Sequence, residues 1–164
     1  SMAGGAGGGA GKGGFSLAIA IPTEAPVKLE VEELAKIMDE EGKSGDDLVI
    51  IDVRGSDYKG GHIPGAKNVP YDDFSKHLDT LVSKHATAKR VVFYCMYSEQ
   101  RGPACANQFL TRFRELNPDA DANSFLLLGG FAKWLTAYKD SPKDHVDEYD
   151  ASVWVLDTFG HLVH

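Results

Sequence analysis

The chain has 164 residues, a formal net charge of -7, and 43% hydrophobic and 25% charged residues. That is enough for one domain with a packed core. The acidic balance argues against nucleic-acid partners and anionic membranes, both of which reward an excess of Lys and Arg.

Residues 1–14, "SMAGGAGGGAGKGG", read as a flexible glycine-rich tail. Its leading Ser reads as a remnant of expression. Residues 15–26 form an N-terminal extension whose apolar stretch "FSLAIAI" is too short for a membrane span. A domain is expected over 27–140. "PVKLE" predicts a short strand, and "VEELAKIMDEE" predicts a helix with Val31, Leu34, Ala35 and Met38 on one face. "DLVIIDV" is an unbroken apolar run, the pattern of a strand buried on both faces. "RGSDYKGGHIPG" is loop chemistry, and "AKNVP" is a candidate short strand. A second helix carries Phe74, Leu78, Leu81, Val82 and His85 on one face. "KRVVFYC" is another buried strand, and "RGPACANQFLTRFRELN" a helix that tolerates Pro103 in its first turn. "NSFLLLGG" predicts a strand and turn, and "FAKWLTAYKD" a last helix with Phe131, Trp134, Leu135 and Tyr138 together. Residues 141–164 are expected to pack back onto the domain.

Strands alternating with helices imply an α/β three-layer domain with a parallel sheet. Ligands in such sheets bind beyond the carboxyl ends of the strands. Asp52, Arg54 and Cys95 fall at that edge. The stretch "FYCMYSEQRGPACA", residues 93–106, is the most informative in the chain. If Met96, Tyr97, Ser98, Glu99 and Gln100 curl around a centre, their backbone N–H groups and the following helix N-terminus make an anion cradle. Arg101 adds a planar fork suited to two oxygens of a phosphate-like ion. Such surroundings favour the thiolate of Cys95, a nucleophile facing the bound oxyanion.

"IDVRGSDYKGGHIPGAKNVP", "VVFYCMYSEQRGPACA" and "LLLGGFAKW", in that order, resemble the rhodanese superfamily. More narrowly they resemble its cell division cycle 25-like phosphatases and the related eukaryotic arsenate reductases. The resemblance covers residues 27–140. It implies a five-stranded parallel sheet flanked by helices and, in the phosphatases, a phospho-cysteine intermediate. It makes Cys95 the nucleophile, residues 96–100 the oxyanion loop and Arg101 the clamp. Sulfurtransferases of the superfamily typically have a loop one residue shorter. Three positions depart from the pattern. Tyr94 stands where the family usually has His. Gln100 stands where the phosphatases often have Glu, leaving Glu99 as the candidate general acid. Val53 stands where some carry a protecting cysteine.

The expected function is thus a tyrosine or dual-specificity phosphatase acting on a phosphoprotein. The alternative is an arsenate reductase acting on a small oxyanion, with glutathione as co-substrate and glutaredoxin as partner. A thiosulfate sulfurtransferase and a silent binding module rank behind. No cofactor or metal is expected. The two cysteines, without a CxxC pair, suggest reduced thiols and a cytoplasmic or nuclear setting.

Asp52 is expected to satisfy loop N–H groups or pair with Arg54, and Asp57 to be an ordinary surface acid with a weak claim as general acid. His62 is expected to fix its loop. Cys105, aligned with Phe109, Phe113 and Leu116, suits core packing better than a resolving role. Asp157, His161 and His164 have metal-like spacing if helical, but chain-end position is poor support for a site.

Overall fold

The computed structural model describes residues 24–43 and 45–164. The glycine-rich tail of residues 1–14, and residues 15–23 of the extension, lie outside this range.

The sheet has five parallel strands: β1 (Val27–Leu29), β2 (Leu48–Asp52), β3 (Lys67–Asn68), β4 (Arg90–Tyr94) and β5 (Ser124–Leu127). Their spatial order is β1-β5-β4-β2-β3, which puts β4 at the centre. Every residue of β2 is buried, as are all of β4 except Arg90. Unbroken apolar runs are what a strand covered on both faces requires. Register pairs Ile50 with Val92, and Val92 with Phe125.

Alternation along the strands divides the core in two. On one face Ile50, Val92, Tyr94 and Leu127 pack against α1 (Val31–Glu41) and α4 (Gly130–Tyr138). On the other, Val49, Ile51, Val91 and Phe93 pack against α2 (Phe74–Lys84) and α3 (Arg101–Leu116). The helical stripes do this work: Val31, Leu34, Ala35 and Met38 of α1 are all buried. On α3, Cys105, Phe109 and Phe113 are buried. Leu116, expected on that face, is the last residue of the helix and is exposed.

The carboxyl ends of β2 and β4 lie side by side. Asp52 is in register with Tyr94, and Val53 N–H donates to the Tyr94 carbonyl at 2.9 Å. Cys95 follows at once. The start of α4 closes over this point. Phe131 N–H donates to the Cys95 carbonyl, and Ala132 N–H to the Met96 carbonyl, both at 2.9 Å. These are first-turn donors that a helix leaves without internal partners. Gly129 and Gly130 make the approach possible, with φ of 79° and 61°. A Cβ on Gly130 would stand 2.6 Å from both carbonyl oxygens.

The final segment packs on the α1/α4 face through Trp154 and Leu162. Trp154 Nε1 donates to the Gly60 carbonyl at 2.9 Å, and Asp147 forms an antiparallel bridge with His62. β6 (Val155–Leu156) and β7 (Leu162–Val163) make an antiparallel hairpin. The helical spacing considered for Asp157, His161 and His164 is therefore wrong. Asp157 heads the hairpin turn, accepting from Phe159 and His161 N–H. No group of side chains suited to a metal ion occurs among the described residues.

Gly130→Ala should destabilise the fold by about 3 kcal/mol, since the wrong φ and the backbone overlap both act against it. Urea unfolding checks this; a neutral substitution would show that α4 does not need its close approach to the loop.

Candidate active site

Cys95 is buried, and its Sγ accepts a hydrogen bond from Gly102 N–H in the first turn of α3 at 3.2 Å. The loop between them, Met96 to Gln100, turns through a left-handed residue, Ser98, with φ of 53°. Among the described residues, none of the N–H groups from Met96 to Gln100 donates to a protein acceptor. Backbone donors left free around a turn and a helix N-terminus form an anion-binding concavity. Cys95, Tyr97, Glu99, Gln100 and Arg101 line a cavity of 220 Å³. A groove of 690 Å³ adjoins it through Tyr97 and Glu99 and continues to Lys133, His161 and Leu162. Tyr97 stands at the rim, 45% exposed.

Arg101 is held by a residue that the sequence reading left on the surface. Its two terminal nitrogens donate to the two carboxylate oxygens of Asp57 at 2.8 and 2.7 Å. Asp57 is half-buried, its carboxylate paired with Arg101 and its carbonyl accepting from Arg54 Nη1 at 3.4 Å, so the expectation of an ordinary surface acid is corrected. The bond to Arg101 holds the Asp57 carboxyl below its ordinary range and raises the guanidinium above its own. A carboxyl kept ionised in this way is a poor proton donor. Two of the five guanidinium N–H groups are used, leaving three for other acceptors. Glu99 is exposed at the cavity, and among the described residues its carboxylate has no hydrogen-bond or ion-pair partner.

Beneath the cradle lies a buried ion pair. Arg54 Nε and Nη2 donate to the Asp52 carboxylate at 2.7–3.1 Å, and Arg54 N–H donates to Asp52 Oδ1 at 2.9 Å. Both side chains are fully buried. Burial is the largest single influence on Arg54 and lowers its pKa, but the hydrogen bond and charge of Asp52, with smaller contributions from Tyr94 and Asp57, together outweigh it and the net shift is upward. Arg54 also donates to the Gly61 carbonyl at 2.8 Å and lies 4.3 Å from the Phe131 ring centre. It is not among the residues that line the 220 Å³ cavity at Cys95.

Tyr94, at the position where the resemblance leads one to expect His, points away from the cradle into the α1/α4 core. It stacks on Phe131, and its hydroxyl accepts from Ile63 N–H at 3.2 Å. Burial, reinforced by the Asp52 charge, pushes its phenol well above the usual value. It is a neutral brace between β4 and the His62–Gly65 loop. His62 bonds its neighbour's carbonyl and Glu148. Cys105 is buried, and burial pushes its thiol up to about 12.

A cavity of 520 Å³ at the far end of the α1/α4 face is lined by Asp39, Tyr138, Ser141 and His145. His145 bridges Asp39 and Ser141 there, at 3.0 and 3.1 Å. Its ring packs edge-on against Trp134 and Tyr138, and its carbonyl accepts from Trp134 Nε1. The cluster anchors the segment after α4.

A family model described as a rhodanese-like domain matches residues 30–137. The chain belongs to the rhodanese-like domain family. Its five-stranded parallel sheet with flanking helices is the rhodanese fold. This rhodanese-like domain is 35% identical over 101 residues to the CDC25-like phosphatase YCH1 of Saccharomyces cerevisiae, covering 56% of this chain and 68% of the relative. It is 30% identical over 89 residues to arsenate reductase 2.2 of Oryza sativa subsp. japonica, covering 53% and 68%. Among solved structures it is similar to Saccharomyces cerevisiae Ygr203w, described as a homolog of single-domain rhodanese and of the Cdc25 phosphatase catalytic domain. That match has a TM-score of 0.64 and 30% identity, over 79% of this chain and 91% of the other.

Two outcomes follow for this rhodanese-like domain. Arg54→Ala leaves the Asp52 charge buried without a partner and should cost about 3–5 kcal/mol in chemical unfolding. For Asp57, the folded pKa lies below the ordinary value of 3.8, so the pair stabilises above that pH and its contribution is lost as pH falls further. Asp57→Asn should thus lower stability at pH 7 by about 1 kcal/mol or less, given the pair's partial exposure, and the deficit should shrink as pH falls below 3.8.

Proposed function

We propose that the protein is a cysteine-dependent phosphatase that works through a phospho-cysteine on Cys95. The observation that carries this reading is the loop itself: backbone donors from Met96 to Gln100 without protein acceptors, next to a buried thiol at a helix N-terminus. The similarity to a CDC25-like phosphatase supports it.

In this reading the Cys95 thiolate attacks phosphorus in line. The S–P bond forms as the ester P–O bond breaks, and the departing oxygen takes its proton from Glu99. Asp57 is unsuited to that step, since Arg101 keeps it ionised. Water then attacks phosphorus, the S–P bond breaks, and phosphate leaves as the thiolate is restored. The loop N–H groups and the free edge of Arg101 stabilise charge on the equatorial oxygens, the main source of rate in phosphoryl transfer. Asp57 acts on Arg101 rather than on substrate. Phosphoproteins are the substrate class in this reading.

The second reading is arsenate reduction, which the similarity to a rice arsenate reductase supports. Cys95 would displace hydroxide from arsenate to give a thiol ester of arsenic. The two electrons that turn arsenic(V) into arsenic(III) would then come from Cys95 and an external thiol such as glutathione or glutaredoxin. Cys105 is not that thiol, being buried with its pKa raised to about 12. Sulfur transfer has less support because the loop has five residues between Cys95 and Arg101, and a silent binding role because Cys95 and Arg101 are both intact.

Purified protein should hydrolyse para-nitrophenyl phosphate under reducing conditions. Cys95→Ser should abolish turnover, and Arg101→Lys should reduce kcat/KM by about 100-fold or more, because an ammonium cannot reproduce the fork. Absence of turnover, together with glutathione-dependent arsenite production that Cys95→Ser abolishes, would replace the phosphatase reading with the reductase one.

A further inference from the structure

The catalytic loop borders two cavities. Cys95 and Arg101 line the smaller, of 220 Å³, while Tyr97 and Glu99 line both it and the 690 Å³ groove beside it. That groove runs between α1, α4 and the β6–β7 hairpin, and no step of the chemistry uses it. Its apolar lining comes from Val31, Ala132, Ala137, Leu162 and Val163. Its charged groups are mostly matched. Lys133 pairs with Glu30 at 3.3 Å, and Asp157 accepts two backbone N–H groups and lies 3.6 Å from His161 Nδ1. Glu32 of α1 is exposed, and among the described residues its carboxylate has no hydrogen-bond or ion-pair partner. Glu99 is likewise unpaired, but in the phosphatase reading it serves the departing oxygen. The unmatched charge of the groove is therefore negative.

We propose that this groove holds a Lys or Arg side chain of the phosphoprotein substrate, its stem on the apolar lining and its charge at Glu32. That the occupant belongs to a substrate rests on the phosphatase reading, since the groove opens onto the cavity of Cys95. A long basic side chain is the one type that matches both features of the lining. Its methylenes cover apolar surface while its head stays at the solvent edge. Tyr97, 45% exposed and shared by the two cavities, adds an aromatic surface on which a cation packs favourably. The substrate class narrows accordingly to phosphoproteins with a basic residue within a few positions of the phosphorylated one.

The charge of the whole chain points the same way. A protein of net charge -7 draws basic segments toward its surface and repels acidic ones. An acidic flanking residue would meet Glu32 and Glu99 with no unpaired cation to offset them. Glu32 is also free to be changed. It lies in the first turn of α1, but the capping box there is made by Glu30 and Glu33. Its replacement therefore leaves the helix start intact, and a change in substrate preference can be read without loss of the fold.

The test uses the full chain and a series of phosphotyrosine peptides, alanine elsewhere, with one Lys, Leu or Glu moved through the flanking positions. Para-nitrophenyl phosphate, which has no flanking residues, gives the reference rate for each variant. Lys at a position that reaches the groove should raise kcat/KM about fivefold over Ala, and Glu there should lower it. The gain should shrink as salt is added. Glu32→Gln should remove most of the gain of Lys over Ala, and Glu32→Lys should invert the order in favour of Glu. The absence of a Lys gain at every position overturns the proposal. So does a Leu gain as large as that of Lys, which would make the occupant apolar, or a full Lys gain in Glu32→Gln. Binding of the same peptides, fluorescently labelled, to Cys95→Ser protein reads the groove without turnover. A Lys preference in binding that depends on Glu32, with no ester hydrolysis by the wild type, keeps the basic occupant and removes the phosphatase reading. Normal hydrolysis with no Lys preference in either assay does the reverse.

Discussion

The buried pair between Arg54 and Asp52 is the constraint on which the site is assembled. Two charges without solvent access are tolerated only when their hydrogen-bonding capacity is met, and removing either partner leaves the other uncompensated. Arg54 meets this demand by reaching outward from the end of β2. It bonds Asp52 three times, holds the Gly61 carbonyl, and lies against Phe131 of α4. Asn68 closes the same knot from β3, donating to the carbonyls of Asp52 and Arg54. One guanidinium thus sets the path of the loop that carries Asp57 and the seat of the helix that closes over Cys95. Asp57 in turn fixes Arg101. The chain of contact from the buried pair to the clamp is short, and each link is a charged hydrogen bond or a packed ring.

The second constraint is the meeting of two helix N-termini at one loop. α4 donates its first free N–H groups to the carbonyls of Cys95 and Met96, and α3 donates Gly102 N–H to the sulfur. The carbonyls at the start of the loop are therefore taken, while its N–H groups stay available. This sorting gives the concavity its positive character without a cluster of basic side chains, in a chain whose net charge is -7. A site made of backbone dipoles is selective for a compact anion of matching size, whereas a basic surface patch would attract any polyanion. The acidic surface and the anion site are compatible for that reason.

Much of this was legible from residues. The buried strands announced themselves as apolar runs, and the helices as stripes at helical spacing. The position of Cys95 at a strand end and of Arg101 at a helix start followed from the same pattern. What could not be read was pairing across the fold. Asp57 is 44 positions from Arg101, and nothing in a run of loop residues marks which acid will meet which base. Tyr94 was equally opaque, because its role depends on Phe131 and Ile63 from other elements. The His161 spacing misled for a related reason: a period of four also occurs across a hairpin turn, and the paired residues of β6 and β7 give too little alternation to distinguish the two.

The exchange of a customary histidine for Tyr94 also has a physical account. A residue immediately before Cys95 faces the opposite side of the sheet from it, since successive strand side chains alternate. Tyr94 accordingly belongs to the α1/α4 core and Cys95 to the α2/α3 core. At that position the side chain lies away from the cavity that Cys95 lines; it stiffens the strand end. Tyrosine does so by ring stacking and one buried hydrogen bond from Ile63. A phenol held neutral by burial adds no charge beneath the thiol, whereas an imidazole there would titrate near neutral pH. The positive surroundings of Cys95 therefore come from the loop N–H groups, the α3 terminus and Arg101.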